Sequence, residues 1–89
     1  MIELIKLNTS KQREGAIMAR RPRSPLYGNR YCGNTNKKEV HDLDNEKVVC
    51  QIEEIIDAGH ARIFTPDRLD QAHKEGYDNC AYCIGGSLR

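Results

Sequence analysis

The chain has no tryptophan, a single phenylalanine and only eighteen Leu, Ile, Val and Phe residues among its 89. So few large apolar side chains exclude a sizeable hydrophobic core, and the length allows one small domain at most. No apolar run is long enough to cross a bilayer, and Met1-Ile2-Glu3-Leu4-Ile5-Lys6 is interrupted by charge within two residues, which reads against a secretory leader. Net charge is also nearly absent: 14 Lys and Arg against 13 Asp and Glu leave +1. Unfolded chains usually combine scarce apolar residues with a large net charge, so this one is expected to fold. The shortage of burial then calls for a disulfide, a structural metal or a partner. Without a leader the expected location is cytoplasmic, where four cysteines read as metal ligands or redox groups before they read as bridges.

The small total charge conceals a strong division. Residues 1–38 hold nine basic groups against Glu3 and Glu14, a balance of +7, whereas residues 39–89 hold five basic against eleven acidic groups, a balance of −6. Arg20-Arg21-Pro22-Arg23-Ser24-Pro25 combines mutually repelling guanidinium groups with two prolines that lack amide donors. Residues 1–26 are therefore expected to form a basic, poorly ordered arm, and residues 27–89 the folded domain.

Within that domain Tyr31-Cys32 and Glu39-Val40-His41 flank Gly33-Asn34-Thr35-Asn36-Lys37-Lys38, a cluster of turn formers that predicts a hairpin. Val48, Val49, Ile52, Ile55 and Ile56 recur at helical spacing and predict a helix within 46–58, stopped by Gly59. Ala61-Arg62-Ile63-Phe64 reads as a third strand. Thr65-Pro66-Asp67-Arg68 reads as a helix opening, with a hydroxyl cap, proline at the first helical position and a carboxylate near the positive end of the dipole. That helix would bury Leu69 and Ala72 and stop at Gly76. The expected fold class is α+β: a short antiparallel sheet flanked by two helices.

Cys80-Ala81-Tyr82-Cys83 is the sharpest chemical feature. Two intervening residues let both thiolates turn toward one ion while backbone amides donate to the sulfurs. A redox pair has the same spacing but belongs after a strand and at a helix N-terminus, whereas this pair follows a helix and a turn. A structural zinc site needs two further ligands, and a hairpin-then-helix layout offers His41 and Cys50, giving a Cys3His set of His41, Cys50, Cys80 and Cys83 for Zn2+. Cys50 lies nearly opposite the stripe centred on Ile52 and Ile56 if the helix is regular, a conflict that vanishes if zinc lies between core and surface or if the regular helix begins only at Cys50. Cys32, on the strand paired with that of His41, is the rival ligand.

Other residues have plainer readings. His60 follows a helix-stopping glycine and reads as a solvated loop residue, and His73 lies on a polar helix face. Counting from Asp42, the carboxylates Asp44, Glu46 and Glu53 fall at calcium-loop positions, but Lys47 stands where the sharp turn needs glycine. That acidic run reads as a solvated, helix-capping stretch.

The segment from Tyr31 to Cys83 resembles the Ada-type zinc-binding domain. The matching residues are Tyr31, Gly33 and Asn34; Val40-His41; Cys50; Phe64; and Ala72, Gly76, Tyr77, Cys80 and Cys83. Eight residues separate His41 from Cys50 where the family has three, so the resemblance implies a five-residue insertion. It implies a small sheet flanked by helices and pinned by four zinc ligands. In the DNA-repair members a zinc-bound cysteine accepts a methyl group from a DNA phosphotriester. His41 stands at that position here, and an imidazole is not an activated thiolate, so methyl transfer is not expected.

Two functions follow from these readings. The first is a non-catalytic zinc module that binds nucleic-acid phosphates through Arg20, Arg21, Arg23 and Arg30, with Tyr27 and Tyr31 for stacking. The plainer reading of the arm is a solvated tail neutralised by the acidic body, and the second function is a protein-interaction module that uses that body as its recognition surface and gives the arm no role. An enzyme, either a nuclease using His41 with Asp42 or a thiol redox protein using Cys80 and Cys83, lacks the supporting motifs.

Overall fold

The computed structural model describes residues 20–88. Strands β1 (Tyr31–Asn34) and β2 (Glu39–Asp42) form the expected hairpin, with Cys32 opposite His41 and Gly33 opposite Val40. Its turn closes through Asn34, whose side-chain Oδ1 accepts from the backbone amides of Asn36 and Lys37 at 2.9 and 3.2 Å. A short polar side chain thus satisfies two donors that the ladder cannot reach.

After β2 the chain departs from the predicted helix. Two 3-10 turns, Leu43–Asn45 and Val48–Cys50, precede Gln51, whose φ of 57° breaks the regular geometry, and α1 runs only from Ile52 to Asp57. Val48 and Val49 consequently stay exposed instead of joining an apolar stripe, while Ile52 and Ile55 are buried. The helix ends as its sequence predicts: Gly59 takes φ +77°, and the amide of His60 bonds back to the Ile55 carbonyl.

Strand β3 is limited to Ala61–Arg62, paired antiparallel with β1, and Phe64 beyond it is buried in the core. Helix α2 (Leu69–Lys74) follows, but Thr65, Pro66 and Asp67 do not open it. Its cap is Arg68 in extended geometry, and the Asp67 carboxylate instead accepts from the amides of Arg30 and Tyr31 at 2.7 and 3.0 Å. Two unpaired donors at the entrance to β1 have claimed the carboxylate that local spacing assigns to a helix end. The last strand, β4 (Asp78–Asn79), lies where a turn was expected and pairs parallel with β2. Among the described residues the sheet order is β3-β1-β2-β4, so the expected antiparallel sheet carries one parallel edge.

Alternation along the hairpin separates two cores. On one face Cys32 packs with Leu26, Leu43, Ile52 and Ile55, and with the other three cysteines. On the other, Val40 packs with Phe64, Ala72 and Tyr77, the two rings meeting edge to face at 5.0 Å. The helices thus flank the sheet, α1 on the cysteine side and α2 on the aromatic side. Gly33 permits the aromatic side to close: a Cβ there would lie 2.7 Å from Phe64 Cζ and 3.0 Å from Tyr77 Cε2. Gly33→Ala is expected to cost about 1–3 kcal/mol through overpacking. A melting temperature equal to that of the parent would show that the ring pair yields freely.

The packed body reaches further toward the N-terminus than the boundary at residue 27. Residues 21–28 turn back on themselves, with Gly28 N donating to Arg21 O at 2.7 Å, and Leu26 has no exposed surface. An isolated leucine between proline and tyrosine carries no periodic signal, so its burial is invisible until the core it fills is assembled. The remainder of the proposed arm, residues 1–19, lies outside the described residues.

Candidate metal centre

Four side chains meet on the α1 side of the sheet. His41 comes from β2, Cys50 from the second 3-10 turn, Cys80 from the residue after β4, and Cys83 from the turn that follows. All four are buried, and one donor atom from each lies within 4.8 Å of the other three. The break at Gln51 is what delivers Cys50: on a continuous helix it would face away from Ile52, whereas the tighter turn rotates it inward. These are the residues the spacing singles out. The rival Cys32 stays in the core outside the cluster, its thiol pushed up to about 11 by burial.

The geometry suits one ion. Metal–sulfur bonds of about 2.3 Å in tetrahedral arrangement hold sulfurs about 3.8 Å apart. Cys50 Sγ and Cys80 Sγ are 3.7 Å apart, and Cys83 Sγ is 3.8 Å from His41 Nδ1. Burial pushes the Cys50 and Cys83 thiols up, and the neighbouring sulfurs add repulsion, so charged thiolates here require a compensating cation. Burial lowers the His41 pKa, which favours the neutral imidazole that can give a lone pair. His41 Nε2 is buried without a hydrogen-bond partner among the described residues. An orphaned polar atom of this kind is costly in a native interior, and a metal bound at Nε2 itself would relieve it.

The surroundings hold the sulfurs in place. The amide of Tyr82 donates to Cys80 Sγ at 3.4 Å, as the two-residue spacing predicts, and the amide of Asp42 donates to Cys83 Sγ at 3.2 Å. Asn45 Nδ2 donates to the Cys83 carbonyl at 2.8 Å. Asp42 and Asn45 belong to the run that reads as merely solvated, and only their position across the cluster reveals this contribution.

The same run answers the arginines. Arg30 forks onto the Asp42 carboxylate through two hydrogen bonds of 2.9 Å, and Arg20 onto Asp44 at 2.8 and 2.7 Å. Arg21 grips Glu46, whose side chain is 7% exposed, and also reaches Glu53 at 3.0 Å. Arg20, Arg21 and Arg30 are thus each paired with carboxylates of the body, Arg20 and Arg30 through exposed side chains, while Arg23 is exposed. The hydrogen bond from Arg20 holds the Asp44 carboxyl below its usual range. The carboxylates that resemble calcium-loop positions are ion-pair partners of Arg20, Arg21 and Arg30.

Of the tyrosines, Tyr77 packs in the aromatic core, while Tyr27 and Tyr82 are exposed and Arg30 lies over the Tyr31 ring at 5.0 Å. His73 bonds Asn79 at 2.6 Å on the surface, away from the cluster, and His60 remains outside it. Among the described residues no helix is long and apolar enough to cross a membrane.

Fold and site together define a small α+β domain with a buried Cys3His cluster able to bind a metal ion. No family model, curated protein or solved structure matches the chain.

Proposed function

We propose that this protein is a structural zinc module, non-catalytic, in which His41, Cys50, Cys80 and Cys83 hold Zn2+ and the ion stands in for the core that the chain lacks. The observation that carries this reading is the convergence of three thiols and one imidazole from distant parts of the chain at tetrahedral separations. Three sulfurs and a nitrogen suit zinc among the common divalent ions, whereas calcium and magnesium take oxygen ligands. Four protein donors leave no open position for water or substrate, which supports a folding role over hydrolysis. The resemblance to the Ada-type zinc domain points the same way. Imidazole at the fourth position supports binding without methyl transfer.

Elemental analysis of protein purified without added metal tests the proposal. About one zinc per chain, with loss of tertiary structure on chelation, is the expected result. A metal-free chain that is fully folded would overturn it.

For a partner, a protein is the better-supported class. The ion pairs of Arg20, Arg21 and Arg30 would have to break before those side chains could bind phosphates. Tight oligonucleotide binding at low salt that is abolished by replacing Arg20 and Arg21 would reverse this preference.

A further inference from the structure

A groove of about 430 Å³ opens beside the cluster. Its lining includes His41, Cys50 and Cys80, together with the exposed Val49 and Tyr82. Cys83 does not line it. That sulfur accepts the Asp42 amide, and Asn45 ties down the Cys83 carbonyl. The two thiols that line the groove, Cys50 and Cys80, are 3.7 Å apart.

We propose that Cys50 and Cys80 are a peroxide-sensitive pair, and that oxidation through this groove joins them as a disulfide and expels the bound ion. The inference rests on the zinc reading above. One thiolate attacks a peroxide oxygen: an S–O bond forms, the O–O bond breaks, and the departing hydroxide takes a proton to become water. The second thiolate then attacks the resulting sulfenic sulfur. The S–S bond forms, the S–O bond breaks, and a second hydroxide leaves and is protonated to water. In total two thiolates, one hydrogen peroxide and two protons give one disulfide and two waters, with two electrons passing from the sulfurs to the peroxide. An ion stripped of two of its four donors leaves the site.

Disulfide formation requires the sulfurs to close from 3.7 Å to about 2.05 Å. That closure falls on the side chains, because the Cys80 amide is bonded to the Val40 carbonyl and the Cys80 carbonyl to the Ile84 and Gly85 amides. Cys50 ends a three-residue 3-10 turn, and Cys80 follows a two-residue strand. Sequence spacing alone would pair Cys80 with Cys83; the groove selects a partner thirty residues away. The bond would tie the turn before α1 to the C-terminal knuckle while removing the ion that organises both, converting a zinc-held domain into an oxidised, zinc-free one.

The test uses the full-length chain. Zinc content is measured first, so a preparation without metal fails the zinc reading before any oxidant is added. The loaded protein then receives hydrogen peroxide, zinc release is followed with a chromogenic chelator, and the cysteine linkage is mapped by mass spectrometry after alkylation. The expected result is release of about one zinc per chain, a dominant Cys50–Cys80 linkage, and recovery of the zinc form with dithiothreitol and added zinc. Zinc retained at peroxide levels that oxidise an exposed thiol would overturn the inference, as would a dominant linkage through Cys83 or Cys32, or irreversible sulfinic acid at the cluster.

Discussion

Cys83→Ser is expected to abolish metal binding and the cooperative unfolding transition together. Structural zinc contributes on the order of 10 kcal/mol in small domains, whereas a domain's entire stability is about 5–15 kcal/mol. Few contacts outside the site can offset that loss in a chain with eighteen large aliphatic and phenyl side chains. The substitution also deprives the Asp42 amide of its sulfur acceptor and disturbs the turn that Asn45 holds through the Cys83 carbonyl. Metal analysis alongside circular dichroism checks the result, and a folded Cys83→Ser protein with a full complement of zinc would refute it. Cys32→Ser is the informative contrast. Cys32 is just as buried but lies outside the cluster, so its replacement is expected to keep the ion while lowering stability by about 1–3 kcal/mol for a hydroxyl placed in an apolar core.

Removal of residues 1–26 is expected to destabilise the body, although charge patterning assigns that whole stretch to an arm. Leu26 is fully buried among the residues that pack around the cysteines, and Leu26→Ala alone is expected to cost about 2–5 kcal/mol. Arg21 adds a second contribution. Its partner Glu46 has a side chain only 7% exposed, so Arg21→Ala leaves a carboxylate desolvated and unpaired. Arg21 retains 21% exposure, which places the cost at about 2 kcal/mol, below the 3–5 kcal/mol of a fully buried pair. Denaturant unfolding of the two point variants separates the effects. Unchanged midpoints for both would return residues 20–26 to the arm.

Local chemistry made much of this molecule legible. The turn formers between Tyr31 and His41 specify the hairpin because Asn34 closes it with its own side chain, and Gly59 stops α1 because a residue without Cβ takes a positive φ easily. The cysteine spacing brings Cys80 and Cys83 to one place for an equally local reason. His41 and Cys50 were legible from donor chemistry, since a structural ion needs four ligands and few candidates existed.

Errors arose where a distant group outcompeted a near one. Val48 and Val49 have helical spacing with Ile52, yet the cluster needs Cys50 turned inward, and a 3-10 turn ending in a left-handed Gln51 meets that need at the expense of exposing both valines. Asp67 has the position of a helix-capping carboxylate but binds the amides at the entrance to β1. Arg20 and Arg21 pair with carboxylates 24 to 32 residues away, a pairing that local spacing does not show.

The sequence by itself determined a small α+β domain with too little core, and named the four side chains that could pin it, because hairpin turns, helix stops and donor types are set by neighbouring residues. Only the tertiary structure decided that Leu26 belongs to the core, that Arg20, Arg21 and Arg30 pair with the acidic segment, and that Cys50 and Cys80 face a common groove. Each of those depends on groups brought together across tens of residues, where burial and ion pairing act through space and leave no mark in local spacing.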